Sequence, residues 1–176
     1  LVAWASIAHI GLMGAGIFSG NIQGLQGTIL EMFNHGIIVT GLWLLVDFIE
    51  NRYHTQDMKE LGGMANIAPK AAITMVVLAF ATIALPMTNG FVGEFLLFLG
   101  IFHSQFEYKV VYMIIAGLGI ILGAIYMLNM VQKVAYGQKN DKKISDLVWN
   151  EPLSMYLIVI IIMVLGFYPN LILNIL

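Results

Sequence analysis

The sequence predicts an all-α fold, a polytopic transmembrane helix bundle of about five spans, and three observations carry that prediction. Hydrophobic residues make up 60% of the 176-residue chain and charged residues only 10%, with a mean hydropathy of +0.88, well above globular usage. Apolar runs of about 20 residues, the length a bilayer crossing needs, recur with short polar connections between them. No stretch alternates polar and apolar residues with the period of a strand.

The chain reads as a single membrane domain over 1–176. The first run, 1–19, is apolar from Leu1 onward and lacks a charged leading segment, so it reads as the start of a fragment rather than a signal peptide. The second, 25–49, is long and carries most of its polar residues in its first half, with Asp47 near its end. The third, 71–103, is anomalous: "LPMTNGFVGEF" at 85–95 puts Pro86, Asn89, Gly90, Gly93 and Glu94 into otherwise oily sequence. Its two apolar pieces, 71–86 and 91–103, are only about 24 Å and 20 Å long as helices, each short for a crossing. The fourth and fifth runs, 110–135 and 152–173, are apolar through their middles, with polar residues such as Lys133 and Asn170 near their ends.

Charge decides between one broken crossing and a hairpin at 71–103. The basic residues are Arg52, Lys59, Lys70, Lys109, Lys133, Lys139, Lys142 and Lys143. A single crossing places seven of them on one side against one on the other; a double crossing leaves four against four. The positive-inside bias therefore favours five crossings, the third a discontinuous helix, with 51–70 and 136–151 cytoplasmic and the C-terminus outside. Pro86 cannot donate a backbone hydrogen bond, Gly90 and Gly93 permit unusual dihedrals, and the Asn89 amide can replace a lost backbone partner. Non-helical backbone at membrane depth must line protein or a water-filled cavity.

Glu94 sits just after that interruption. A carboxylate within a span is costly unless it faces the bundle interior, pairs, or carries a proton. Desolvation favours its neutral form and the start of the second half-helix favours its ionised form, an opposition that suits a group which takes up and releases protons. "LEMFNHG" at 30–36 sets Glu31 and His35 on one helical face, four residues apart, with Asn34 beside them. His35 lies near mid-span, where an imidazole relays a proton by cycling between one and two ring protons. Glu31 lies about 9 Å from that centre, within reach of interfacial water. His9 has no carboxylate at helical spacing and ranks below His35. The alternative for Glu94, His35 and His9 is inert packing, and for Glu31 an ordinary interfacial carboxylate.

Other chemistries find no support. His9, His35, His54 and His103 lack metal-ligand spacing, and neither a phosphate-binding glycine loop nor a nucleophile with its base is present. The net charge of -2, with basic residues scattered, gives no reason to expect nucleic acid. The chain has no cysteine, which excludes a thiolate-held iron–sulfur cluster within it. Gly119 and Gly123 form a small-xxx-small pair of the kind that packs helices closely.

Five stretches carry a family resemblance. "AWASIAHIG" is similar to "AYSSISHMG"; "LQGTILEMFNHG" and "HTQDMKELGG" resemble "LQGAxxQMxxHG" and "HTRDxxxxGG"; "LPMTNGFVGEF" is similar to "LPGTxGFVGEF", and "GFYPNLIL" follows near the end. These are motifs of the antiporter-like, proton-translocating membrane subunits of respiratory complex I (NADH-quinone oxidoreductase), of its M type in particular, whose sister subunits carry a lysine where Glu94 stands. The resemblance runs along essentially the whole chain. It implies the C-terminal five helices of a fourteen-helix protein made of two inverted repeats, each with one discontinuous helix. It further implies that Glu94 and His35 lie on a hydrated mid-membrane axis, with Glu31 in place of a neutral glutamine. Redox work would be done in partner subunits that hold FMN, iron–sulfur clusters and quinone, with neighbouring antiporter-like subunits and the lipid of an inner (plasma) membrane around this one. The rival readings are a homologous subunit of a multi-subunit Na⁺/H⁺ antiporter and a non-conducting membrane scaffold.

Overall fold

The computed structural model describes residues 1–138, 145–147 and 151–175. Eight helices follow in order: α1 (Val2–Phe18), α2 (Ile22–Tyr53), α3 (Met64–Ile67), α4 (Pro69–Thr82), α5 (Asn89–His103), α6 (Lys109–Val134), α7 (Glu151–Phe167) and α8 (Asn170–Leu173). There is no strand among the described residues. By length and hydropathy two helices, α2 and α6, suffice to cross a bilayer, while α1, α4 and α5 are apolar but shorter.

α2 organises the bundle. It starts where the Asn21 side chain accepts from the Gly24 amide at 2.9 Å, an N-cap that occupies one of the free donors of the first turn. It ends at His54, whose left-handed φ of 56° stops the helix. Its 32 residues make a rod of about 48 Å. Along the first half of this rod Gly24 faces Gly100, Gly27 faces Leu96 and Leu97, and Glu31 faces Gly93. One turn on, Asn34 faces Asn89. Farther along, Gly41 faces Leu78. Numbers rise on α2 as they fall on its partners, so α5 and α4 both run antiparallel to it, α5 beside its first half and α4 beside its second.

The glycines in this seam act by their size. A Cβ at Gly27 would lie 2.7 Å from the Leu97 amide nitrogen, and one at Gly100 would lie 2.6 Å from that of Gly24. Lipid is as apolar as the side chains, so tight van der Waals packing and interhelical hydrogen bonds, rather than hydrophobic burial, hold such a contact.

The connections sort to two ends. At one, Asn21 Nδ2 donates to the Gly100 carbonyl at 2.7 Å, joining the α1–α2 turn to the far end of α5. At the other, the Ala65 amide donates to the Ala135 carbonyl at 2.9 Å. There Asp146 accepts from the Lys70 and Ala71 amides at 3.1 and 3.4 Å, so the segments after α2 and after α6 meet. Lys139, Lys142 and Lys143, three of the basic residues behind the charge bias, lie outside the described residues.

Residues 83–88 separate α4 from α5, and Pro86 falls among them. The left-handed backbone there belongs to Ala84 (φ 49°) and Met87 (φ 79°), a conformation costing a non-glycine residue about 1–3 kcal/mol. This corrects the expectation for Gly90 and Gly93, which sit inside α5 with ordinary helical backbone. They are small because neighbours crowd them: a Cβ at Gly90 would lie 3.0 Å from the Ala81 carbonyl oxygen, and one at Gly93 would lie 3.2 Å from the Glu31 Cβ. Gly166 of α7 lies against the backbone of Met87 and Thr88, which covers one side of the irregular segment, while Leu85, Pro86 and Met87 are exposed. The Gly119–Gly123 pair does not pack as expected. A Cβ at Gly119 meets nothing within 4 Å, and one at Gly123 meets only Tyr126 of the same helix.

Most of α6 is bare. Ile114, Ile115, Leu118, Ile121, Leu122 and Ile125 are all exposed, and burial begins only at Met127, Val131 and Val134.

Candidate functional site: a buried histidine–carboxylate cluster

Four ionisable side chains meet where α1, α2 and α5 come together. His9 Nδ1 lies 3.5 Å from Glu94 Oε1 and 3.8 Å from Glu31 Oε1. The His9 and His35 rings are 5.0 Å apart, centre to centre, and tilted by 35°. Glu31 and Glu94 are 1% and 6% exposed, so both carboxyls are withdrawn from solvent.

Each helix supplies its residue for a local reason. Glu31 and His35 share a face of α2, as their spacing requires. Glu94 reaches them because Gly93 lets α5 lie directly on Glu31. On α1, Thr28 Oγ1 of the neighbouring helix donates to the Met13 carbonyl at 3.2 Å, and Gly16 meets Thr28 and Gly24 closely, which draws α1 against α2 and carries His9 inward.

α4 ends near this cluster. Its last carbonyls would be stranded in an apolar interior, yet Ala79, Phe80 and Ala81 accept from Ile83, Leu85 and Ala84 at 3.0–3.1 Å. Thr82, its last residue, lines the same cavity as His9. On the α5 side Asn34 Nδ2 donates to the Asn89 carbonyl at 2.7 Å and Asn89 Nδ2 donates to Asn34 Oδ1 at 3.1 Å. The amide that meets the backbone here is therefore that of Asn34, while the Asn89 amide, expected to replace a backbone partner, bonds the Asn34 side chain instead.

Two placements differ from the sequence-based ranking. Glu94 is the sixth residue of α5, about 7.5 Å from its start, beyond the first turn where the helix dipole acts strongly; neighbouring side chains, not the helix end, define its surroundings. His9 is the central member of the cluster, in contact with both carboxylates and with His35. Helical spacing cannot reveal this, because its partners come from α2 and α5. A cavity of about 500 Å³ between α1, α5 and α6, walled mainly by apolar side chains, includes His9 and Glu94 in its lining.

An all-helical apolar bundle in which buried carboxylates meet half-buried histidines has the form of an antiporter-like transmembrane subunit. Residues 1–119 match the family model described as NADH:quinone oxidoreductase/Mrp antiporter, transmembrane, and the chain belongs to that family. It is 40% identical over 99% of its length to NADH-quinone oxidoreductase subunit M of Rickettsia prowazekii. It is 37% identical over 98% of its length to subunit M of Rhodobacter capsulatus. It spans about a third of these relatives, covering 35% and 33% of them. Among solved structures, respiratory complex I from Thermus thermophilus with bound NADH superposes with a TM-score of 0.88 at 30% identity, over 96% of this chain and 35% of the matched one. The Mrp complex from Dietzia shares the fold, with a TM-score of 0.86 at 16% identity over 98% of this chain and 40% of the matched one.

Proposed function

We propose that this chain is part of a proton-translocating membrane subunit of an NADH:quinone oxidoreductase, moving H⁺ through buried ionisable groups while partner subunits carry out electron transfer. The observation that carries the reading is His9, held between Glu94 and Glu31 beside the ring of His35. Both carboxylates face one nitrogen, Nδ1, which can take a proton from one of them and give it to the other. At 3.5 and 3.8 Å the ring stands just beyond hydrogen-bond range of each carboxylate, so a side-chain shift of several tenths of an ångström makes or breaks either link.

Five crossings fit this reading, the third formed by α4 and α5 in succession. Their shared antiparallel course along α2 supports one interrupted crossing rather than a hairpin, and so does the meeting of the 54–68 and 135–147 connections at one end. We assign that end to the cytoplasm from its basic residues. The exposed apolar face of α6 suits lipid and neighbouring membrane subunits, including other antiporter-like ones. FMN, iron–sulfur clusters and quinone belong in this reading to partners. The subunit M relatives favour this over a Na⁺/H⁺ antiporter, since the Mrp likeness concerns the fold.

The test is Glu94→Gln in the assembled enzyme, reconstituted in vesicles. Glutamine keeps the shape and a hydrogen-bonding oxygen but cannot exchange a proton. Assembly at normal abundance with most proton pumping lost is the expected result, with Glu94→Asp retaining part. Full pumping by the assembled Gln variant would assign Glu94 to packing and favour the scaffold reading.

A further inference from the structure

The same three helices bring together a ligand set that is absent from any one of them. One nitrogen of His9 and one oxygen each of Glu31 and Glu94 lie within 4.8 Å of one another, and the two nitrogen–oxygen separations are 3.5 and 3.8 Å. A tetrahedral ion with bonds of about 2.0–2.2 Å holds its ligand atoms about 3.3–3.6 Å apart. The two measured edges lie within a few tenths of an ångström of that span.

A second observation points the same way. Glu31 is 1% exposed, its Oε2 has no hydrogen-bond partner among the described residues, and its Oε1 is too far from His9 for a hydrogen bond. A buried carboxylate in that condition is costly, and a cation bound between it and Glu94 would satisfy it directly.

The geometry points to a zinc-binding site made by His9 Nδ1, Glu31 and Glu94, with a fourth position left for water. Two carboxylates balance the double charge of the ion, so the filled site is neutral overall and suits a dry interior. The imidazole ligand selects zinc over magnesium or calcium, which take oxygen. The cavity whose wall includes His9 and Glu94 offers room on that side. Glu31 is the distinguishing member: replacing it by the neutral glutamine leaves a weaker donor and an unbalanced charge.

The experiment uses the whole assembled complex, equilibrated with zinc chloride, washed with a chelator to strip surface ions, and assayed by mass spectrometry for zinc per complex. The enzyme with Glu31 should retain one more zinc equivalent than Glu31→Gln, and X-ray absorption of that extra zinc should show nitrogen and oxygen neighbours at about 2.0–2.2 Å. His9→Gln serves as the second variant if Glu31→Gln does not assemble, and should lose the same equivalent. Equal zinc in the parent and either assembled variant overturns the site, as does sulfur in the shell of the extra ion. Because retention is measured on resting enzyme, it stands or falls separately from proton pumping.

Discussion

At the scale of single residues, His9 links the most groups of the cluster: it touches Glu94 and Glu31 and neighbours His35. His9→Ala should therefore impair proton pumping at least as strongly as His35→Ala, measured as proton uptake per NADH oxidised in the same vesicles. A His9→Ala enzyme that outperforms His35→Ala would restore the order suggested by sequence spacing. That order was legible only for Glu31 and His35, which share a helix. Glu94 was legible because a carboxylate in an apolar run is conspicuous wherever it folds. His9 was not, since nothing in "AWASIAHIG" encodes which helices will lie against it.

At the scale of elements, glycine placement sets how closely helices approach. Gly27→Ala would drive a methyl group into the Leu96–Leu97 backbone, and overpacking of this kind costs about 1–3 kcal/mol. Gly119→Ala meets nothing within 4 Å, and replacing a helical glycine by alanine favours the helix by about 1 kcal/mol. Thermal unfolding of the solubilised complex should show a lower midpoint for the first change and no loss for the second. The irregular segment between α4 and α5 was legible as Pro86 and short flanking segments, but its strained residues were not. Glycine is the usual tenant of left-handed backbone, so sequence points to Gly90 and Gly93; the fold instead uses those glycines for contact and places Ala84 and Met87 in the strained positions. Asp146 offers another element-scale test. It accepts from the first amides of α4, and Asp146→Ala should destabilise that end by about 1 kcal/mol, seen as faster amide exchange at Lys70 and Ala71.

At the scale of the whole molecule, the disposition of the connections makes a prediction about sides. Gln56, Gln138 and Gln105 are all exposed. Cysteines introduced at Gln56 and Gln138 should react with an impermeant reagent from one face of the membrane, the cytoplasmic one, and a cysteine at Gln105 from the other. Reaction of Gln56 and Gln138 from opposite faces would require a hairpin at 71–103. The all-helical class was legible from hydropathy alone, because bilayer thickness imposes a length on every span. The packing order was less so, since α6 and α2 are both long and apolar and only tertiary contact makes one the central rod and the other a largely exposed helix. The contact between Gly93 and Glu31 has an evolutionary corollary: a Cβ at 93 would lie 3.2 Å from the Glu31 Cβ and 3.3 Å from its Cα, atoms that do not recede when the side chain at 31 is shortened. Across many sequences position 93 should stay glycine while the side chain at 31 varies.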